Sequence, residues 1–280
     1  MMRVPTSERV LAYVILIVMA ILVIAPVLAG SITAFKPQII WVSSPPTWIF
    51  EPTLENFEFV FFTRKGWVYL RNSLIISVGS VAIALLLGVP AAYAFARFRF
   101  RSSKALMQWL ISLRMIPPIV VGLPFYAMFL YLERGLGIGL RDTFPGLIIT
   151  YQTFLLPLVI WMMRGYFAEL PAAMEESAMV EGYTRLGALW RVVLPVVWPG
   201  IVATAILNFI FAWNEFFLAL ILAGNRTSTL PMTAGTYIVR TRVEWGNLFA
   251  VNLIIMVPVI LLTIALRRQL VKGLTFGILE

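Results

Sequence analysis

Side chains able to do chemistry inside the apolar stretches of this 280-residue chain are few. Cys and His are both absent. That removes disulfides, thiolate nucleophiles, zinc or haem held by His, and any Ser-His-Asp arrangement. Glu215 stands in one apolar run with Asn208 and Asn214 close by, and Arg114 stands in another. Ionisable residues at membrane depth are rare, and they face a bundle interior or a water-filled path. Arg114, Asn214 and Glu215 are therefore candidates for a gate or the polar wall of a pathway. The alternative is a structural hydrogen bond between helices, worth about 1 kcal/mol. Charge alone would allow an Arg114–Glu215 pair. A single buried acid is short of the groups that acid–base or metal catalysis uses. Lys36, Lys65, Lys104 and Lys272 are the only lysines, and none ends a Gly-x-x-x-x-Gly-Lys-[Ser/Thr] loop. The chain therefore has no P-loop of its own for ATP. No catalytic, cofactor-binding or metal-ligating residue is expected.

The elements that must position these groups are membrane spans. The chain is 61% hydrophobic and 12% charged, with mean hydropathy +0.92. A soluble domain carries about 25% charged residues, so lipid is the expected solvent. Six runs reach the length of about 20 residues that crosses a bilayer: Val10–Phe35, Asn72–Ala96, Ala105–Leu132, Thr143–Met163, Gly200–Asn225 and Trp245–Leu266. The first is longer than the apolar core of a cleaved signal peptide and reads as a retained span. Pro26, Pro90, Pro117, Pro118, Pro124, Pro157 and Pro258 fall inside the runs. Membrane bundles absorb such prolines as kinks. The fold class is an all-α membrane protein of six transmembrane helices.

Charge sets the orientation. With the N-terminus in the cytoplasm, twelve Lys and Arg lie inside and nine outside. The loop from Arg97 to Lys104 carries four positive charges and no acid, which resists translocation. Both termini are therefore placed in the cytoplasm of a multi-pass protein of the cell's inner membrane. The net charge of +9 belongs to topology and headgroup contact, not to nucleic acid. Three segments follow: residues 1–71 with the first span and an extracytoplasmic loop, residues 72–268 as the core, and a cytoplasmic tail at 269–280. The outer loop Lys36–Arg71 is rich in Pro, Trp and acids.

The inner loop at 164–199 is the informative one. Pro171 suits the first turn of a short helix, with Glu175 and Glu176 near its positive end. Gly182 suits the left-handed position past its end, Thr184 can cap a second helix, and Pro195 is expected to stop it. The exposed face is expected to carry Met174, Ala178, Met179 and Tyr183, which suggests docking to a protein partner. An amphipathic hairpin lying on lipid is the other reading. Glu169, Glu175, Glu176 and Glu181 would be repelled by anionic headgroups and count against it.

This loop resembles the coupling loop of ABC importer permeases, with its Glu-Ala-Ala, Gly, Leu-Pro pattern at Glu176, Ser177, Ala178, Gly182, Leu194 and Pro195. Ser177 replaces the first Ala, and Glu181 stands where sugar permeases usually have Asp. Ala92–Arg97, Arg114–Pro118, Arg164–Phe167, Ala212–Phe216 and Leu270–Gly277 are similar, in the same order, to segments of the maltose-type subfamily. The tail departs after Gly277.

The resemblance implies a type I ABC importer permease fold with a cytoplasmic coupling-helix loop. Glu175, Glu176, Ser177, Ala178, Met179, Glu181, Gly182, Leu194 and Pro195 would meet a cytoplasmic ATPase. It also implies a dimer of ATPases that bind the ATP and Mg, a second homologous permease and an extracytoplasmic sugar-binding protein. The implied activity is import of a disaccharide or oligosaccharide of the maltose or trehalose type, or of a related polyol or sugar phosphate. A permease for amino acids or peptides would share the loop chemistry. A self-sufficient secondary transporter usually has buried acids or broken helices for coupling ions and often inverted repeats, and here there is one buried Glu and no evident repeat.

Overall fold

The computed structural model describes residues 6–98, 100–239 and 242–269. In chain order its α-helices of five residues or more are α1 (Thr6–Ala34), α2 (Gly66–Arg97), α3 (Ser103–Leu113), α4 (Pro118–Leu136) and α5 (Phe144–Glu169). There follow α6 (Ala173–Val180), α7 (Arg185–Trp213), α8 (Phe217–Leu222), α9 (Leu230–Ala234) and α10 (Trp245–Ala265). The strands β1 (Ile238–Val239) and β2 (Arg242–Val243) form a two-residue antiparallel ladder. Six of the helices, α1, α2, α4, α5, α7 and α10, are long and apolar enough to cross a membrane. The expected tail motif Leu270–Gly277 lies outside the described residues.

The chain divides into two compact units, Met1–Trp67 with Ala234–Ile255, and Val68–Thr233 with Met256–Glu280. In the first, no residue of the most apolar window of α1 is buried. Where α1 ends, the chain is pinned. Asn56 donates from Nδ2 to the carbonyls of Ala34 (2.8 Å) and Lys36 (2.9 Å), and the Trp41 indole donates to Lys36 O at 2.9 Å. Helix ends leave carbonyls without internal partners, and these side chains supply them. The Lys36 ammonium is buried over the rings of Trp48 (5.4 Å) and Phe50 (5.6 Å). Gly30 matters because a Cβ there would run into the Phe249 ring.

In the second unit α5 is the central helix. Leu147, Tyr151, Leu155, Val159, Met163 and Phe167 recur every fourth residue and are all buried. That spacing stacks them on one face. Val193, Val197 and Ala212 of α7 and Ile76, Ala84 and Ala92 of α2 belong to the core of this unit. Lipid gives no hydrophobic drive between helices, so small residues and close approach matter more. Gly88 lies against Val159, and a Cβ on Gly200 would run into the Tyr166 ring.

Two expected spans are corrected. The run Ala105–Leu132 is not one helix. It breaks at Arg114–Pro117 into α3 and α4. Pro117 and Pro118 remove consecutive N–H donors, and a proline pushes the residue before it out of helical geometry. Pro117 accordingly has φ −57° and ψ 136°. The fifth span is Arg185–Trp213 rather than Gly200–Asn225. Pro195 does not stop it. A wide turn at Leu189–Val193 lets the Leu194 N–H reach the Leu189 carbonyl five residues back, just ahead of the imide nitrogen that has no hydrogen to give. The helix ends instead at Trp213, and Asn214–Phe216 separates it from α8.

Candidate functional site

The segment between α5 and α7 is built by local chemistry first. Pro171 lies ahead of α6, its carbonyl accepting from Met174 N at 3.2 Å, and the helix starts at Ala173. α6 ends in a paired turn. The N–H of Gly182 reaches Met179 O and that of Tyr183 reaches Ala178 O, both at 3.1 Å. Gly182 sits at φ +96°, where a side chain would be strained. This is the glycine-terminated Schellman arrangement, which satisfies two carbonyls at a helix end. Two residues later Thr184 caps α7, its hydroxyl accepting from Gly187 N at 3.1 Å. The expected roles of Gly182 and Thr184 are the ones observed.

Long-range contacts then fix the segment. Glu175 is only 6% exposed. Its Oε1 accepts from Arg97 Nε, and its Oε2 accepts from the Tyr93 hydroxyl at 2.8 Å. A second guanidinium nitrogen of Arg97 donates to the Leu170 carbonyl at 3.0 Å, just past the end of α5. One side chain at the end of α2 thus holds both α6 and the end of α5. Arg97 and Glu175 are both largely withdrawn from solvent. Removing one partner of such a pair leaves an uncompensated charge and costs about 3–5 kcal/mol. Two further cations lie over rings nearby, Arg185 over Phe98 (5.1 Å) and Arg191 over Tyr183 (5.2 Å).

The face that α6 presents differs from expectation. Ala178 is 5% exposed, and Met174, Met179 and Tyr183 are partly covered, with Met174 packed against the core. Once Glu175 is turned inward, Ala178, three residues on, must follow it. The outer face carries Glu176, Ser177, Glu181 and Gly182, with Val180 at 88% exposure. Leu194 is partly covered, and Pro195, Leu186 and Trp190 are exposed along the start of α7.

Each of the three pathway candidates makes its own local contact. Glu215 lies in the break after α7 and accepts the Leu218 N–H at 2.8 Å, capping the first turn of α8. Asn214 folds back to Ile210 O at 2.8 Å. The Arg114 guanidinium lies 5.2 Å from the centre of the Phe211 ring, and no ion pair joins it to Glu215 among the described residues. Asn208 donates to Thr204 O at 2.8 Å, while its own oxygen is buried without a partner.

Sequence reading missed two anchors. In the sequence Arg97 reads as a topology charge and Tyr93 as part of a motif, and nothing local points to a partner some 80 positions later. The other is Asp142, at φ +53°. Its carboxylate accepts from Gly224 N (2.8 Å), from Arg226 N (3.2 Å), and from the N–H and hydroxyl of Thr227 (2.9 and 2.8 Å). Burial alone would raise the Asp142 pKa. The Thr227 hydroxyl and the three backbone donors outweigh it and hold the group below the usual carboxylate range.

Residues 84–276, which include the anchored segment whole, match the family described as binding-protein-dependent transport system inner membrane component. The chain belongs to that family. This inner membrane component is 36% identical over 80% of its length to the trehalose transport system permease protein SugB of Mycobacterium tuberculosis, covering 81% of that protein. It is 30% identical over 100% of its length to the trehalose/maltose transport system permease protein MalG of Thermococcus litoralis, covering 99% of it. Its fold is similar to a chain of a bacterial ABC transporter involved in import of the acidic polysaccharide alginate. There the TM-score is 0.75 at 20% identity, with 96% of the permease and 99% of that chain covered. It is a transport permease subunit and a multi-pass membrane protein.

Proposed function

We infer that this permease is one half of the translocation pathway of an ATP-driven, binding-protein-dependent importer for a disaccharide or oligosaccharide. The observation that carries the reading is end-to-end similarity to a trehalose/maltose permease in a chain that carries the anchored α6 segment. Loop charge favours an orientation with both termini and α6 in the cytoplasm. In that orientation Glu176, Ser177, Val180 and Glu181 face a partner ATPase, which binds the ATP and Mg. Gly182 closes that outer face, Glu175, Ala178 and Met179 shape it from behind, and Leu194 and Pro195 carry movement into α7. A second homologous permease supplies the other half of the pathway, and an extracytoplasmic binding protein delivers the sugar. Residues 72–268 are the permease core in this reading, with residues 1–71 and 269–280 as its extensions.

The test is purification of the chain from its native membrane in mild detergent. Expected are stoichiometric recovery of an ATPase and a second permease, and ATP hydrolysis stimulated by a sugar-loaded binding protein. Uptake of trehalose or maltose by the reconstituted complex identifies the solute class. A chain that purifies alone, or a complex stimulated only by an amino-acid- or peptide-loaded binding protein, overturns the reading.

A further inference from the structure

Between the end of α2 and the side of α5 lies an open cleft of about 590 Å³ that the coupling reading does not use. Three of its lining residues are cations, Arg101, Lys104 and Arg164, and none is an acid. All three are exposed. The ion pairs among the described residues are Arg97–Glu175 and Arg141–Glu133, so none of the three has a carboxylate partner there. Ser103 and Gln108 add hydrogen-bonding groups, and Phe100 and Met107 give the cleft an apolar wall. Like charges brought to one cleft repel, and an anion relieves them.

The flanks say what kind of anion. Trp161, one turn before Arg164 on α5, is 52% exposed. Large apolar side chains exposed on a membrane helix face acyl chains, and Trp gathers at the headgroup boundary. Three residues separate Trp161 from Arg164, about 4.5 Å along the helix on one face. The cations therefore sit at headgroup depth, with acyl-facing surface directly beneath. Basic pockets between membrane helices suit anionic headgroups.

We propose that Arg101, Lys104 and Arg164 form a binding site for the phosphate of an anionic phospholipid, its acyl chains lying along the face of α5 that carries Trp161. Free phosphate shares the headgroup chemistry but gains nothing from the apolar flank. The proposal is independent of which solute the permease carries.

The test is native mass spectrometry of the full chain, purified with the partners it brings from its membrane and titrated with phosphatidylglycerol or phosphatidylcholine. Wild type is expected to retain phosphatidylglycerol preferentially. Each cation replaced by Gln should weaken that retention about fivefold, and R101Q/K104Q/R164Q about a hundredfold. The charge-keeping variant R101K/R164K should retain it, and R9Q/R64Q/R134Q, outside the cleft, should match wild type. Circular dichroism and elution volume confirm that each variant is folded. Equal retention by wild type and the triple cleft variant overturns the site. So does displacement of the lipid by millimolar inorganic phosphate, which would make it a free-anion site. Binding to the isolated chain that disappears in the assembled complex also overturns it, assigning the cleft to a partner protein.

Discussion

Arg97 Nε donates to Glu175 Oε1 across 78 positions of sequence, while the same guanidinium donates to the carbonyl of Leu170. The carboxylate is thus held by the end of one membrane helix, and the hydroxyl of Tyr93 takes its second oxygen. R97Q is expected to leave insertion intact and to reduce sugar uptake at least tenfold, since losing one partner of a desolvated pair costs about 3–5 kcal/mol locally. R97K keeps the charge but not the fork and should recover part of the activity. Uptake assays read the activity, and protease sensitivity around Ala173–Val180 reads the loosened helix. Wild-type uptake by R97Q would remove the anchor from the coupling route.

Val180 and Ala178 are two residues apart and face opposite ways. V180E places a charge on the exposed tip without touching the core. It should preserve the yield of the permease and abolish co-purification of the ATPase. A178L overfills a buried position, at a cost of about 1–3 kcal/mol. It should lower thermal stability as well as transport. Co-purification and melting temperature separate the two. Loss of stability in V180E but not in A178L would reverse the assigned faces.

Asp142 carries a sign that pH can read. Its folded-state pKa is depressed below the ordinary 3.8. The stability it contributes is therefore complete above that ordinary value and is lost as pH falls through the lower folded value. The protection of Gly224–Thr227 against hydrogen exchange, relative to the unstructured rate at each pH, should fall below about pH 4 in wild type. D142N tolerates the left-handed backbone but lacks the charge, so its protection should be low at neutral pH and flat with pH. Leaving a buried donor such as the Thr227 N–H without an acceptor costs about 1–3 kcal/mol. A wild-type profile flat from pH 7 to 3 would contradict the assignment.

Glu215 is a cap, and its amide analogue keeps the accepting oxygen. E215Q should therefore retain uptake within about threefold of wild type, while E215A loses the cap and about 1 kcal/mol. Uptake and detergent stability decide between them. Abolished uptake with unchanged stability in E215Q would assign Glu215 to a gate.

Much of the architecture is legible in the sequence because lipid demands long apolar runs. The first, second, fourth and sixth spans match α1, α2, α5 and α10 to within six residues at each end. The breaks are harder to see. Pro90, Pro124, Pro157 and Pro258 lie inside continuous helices, whereas Pro117–Pro118 marks an end. Composition does not distinguish an imide whose lost donor is absorbed by a wider turn from one that stops the ladder. Gly182 and Thr184 could be placed because their chemistry is local. Glu175 could not, because its partners lie about 80 residues away, with three helices between. That inward turn is also why Ala178 is buried: its small apolar side chain packs into the core instead of facing a partner.

The turn at Gly182 leaves α6 without slack. One end of the segment is riveted through Arg97 to α2 and to the end of α5, and the other passes through only Tyr183 and Thr184 into α7. No length of loose chain remains to stretch under load. A force on the tip at Val180 is delivered to the feet of membrane helices as torque, in the manner of a bell crank rather than a rope.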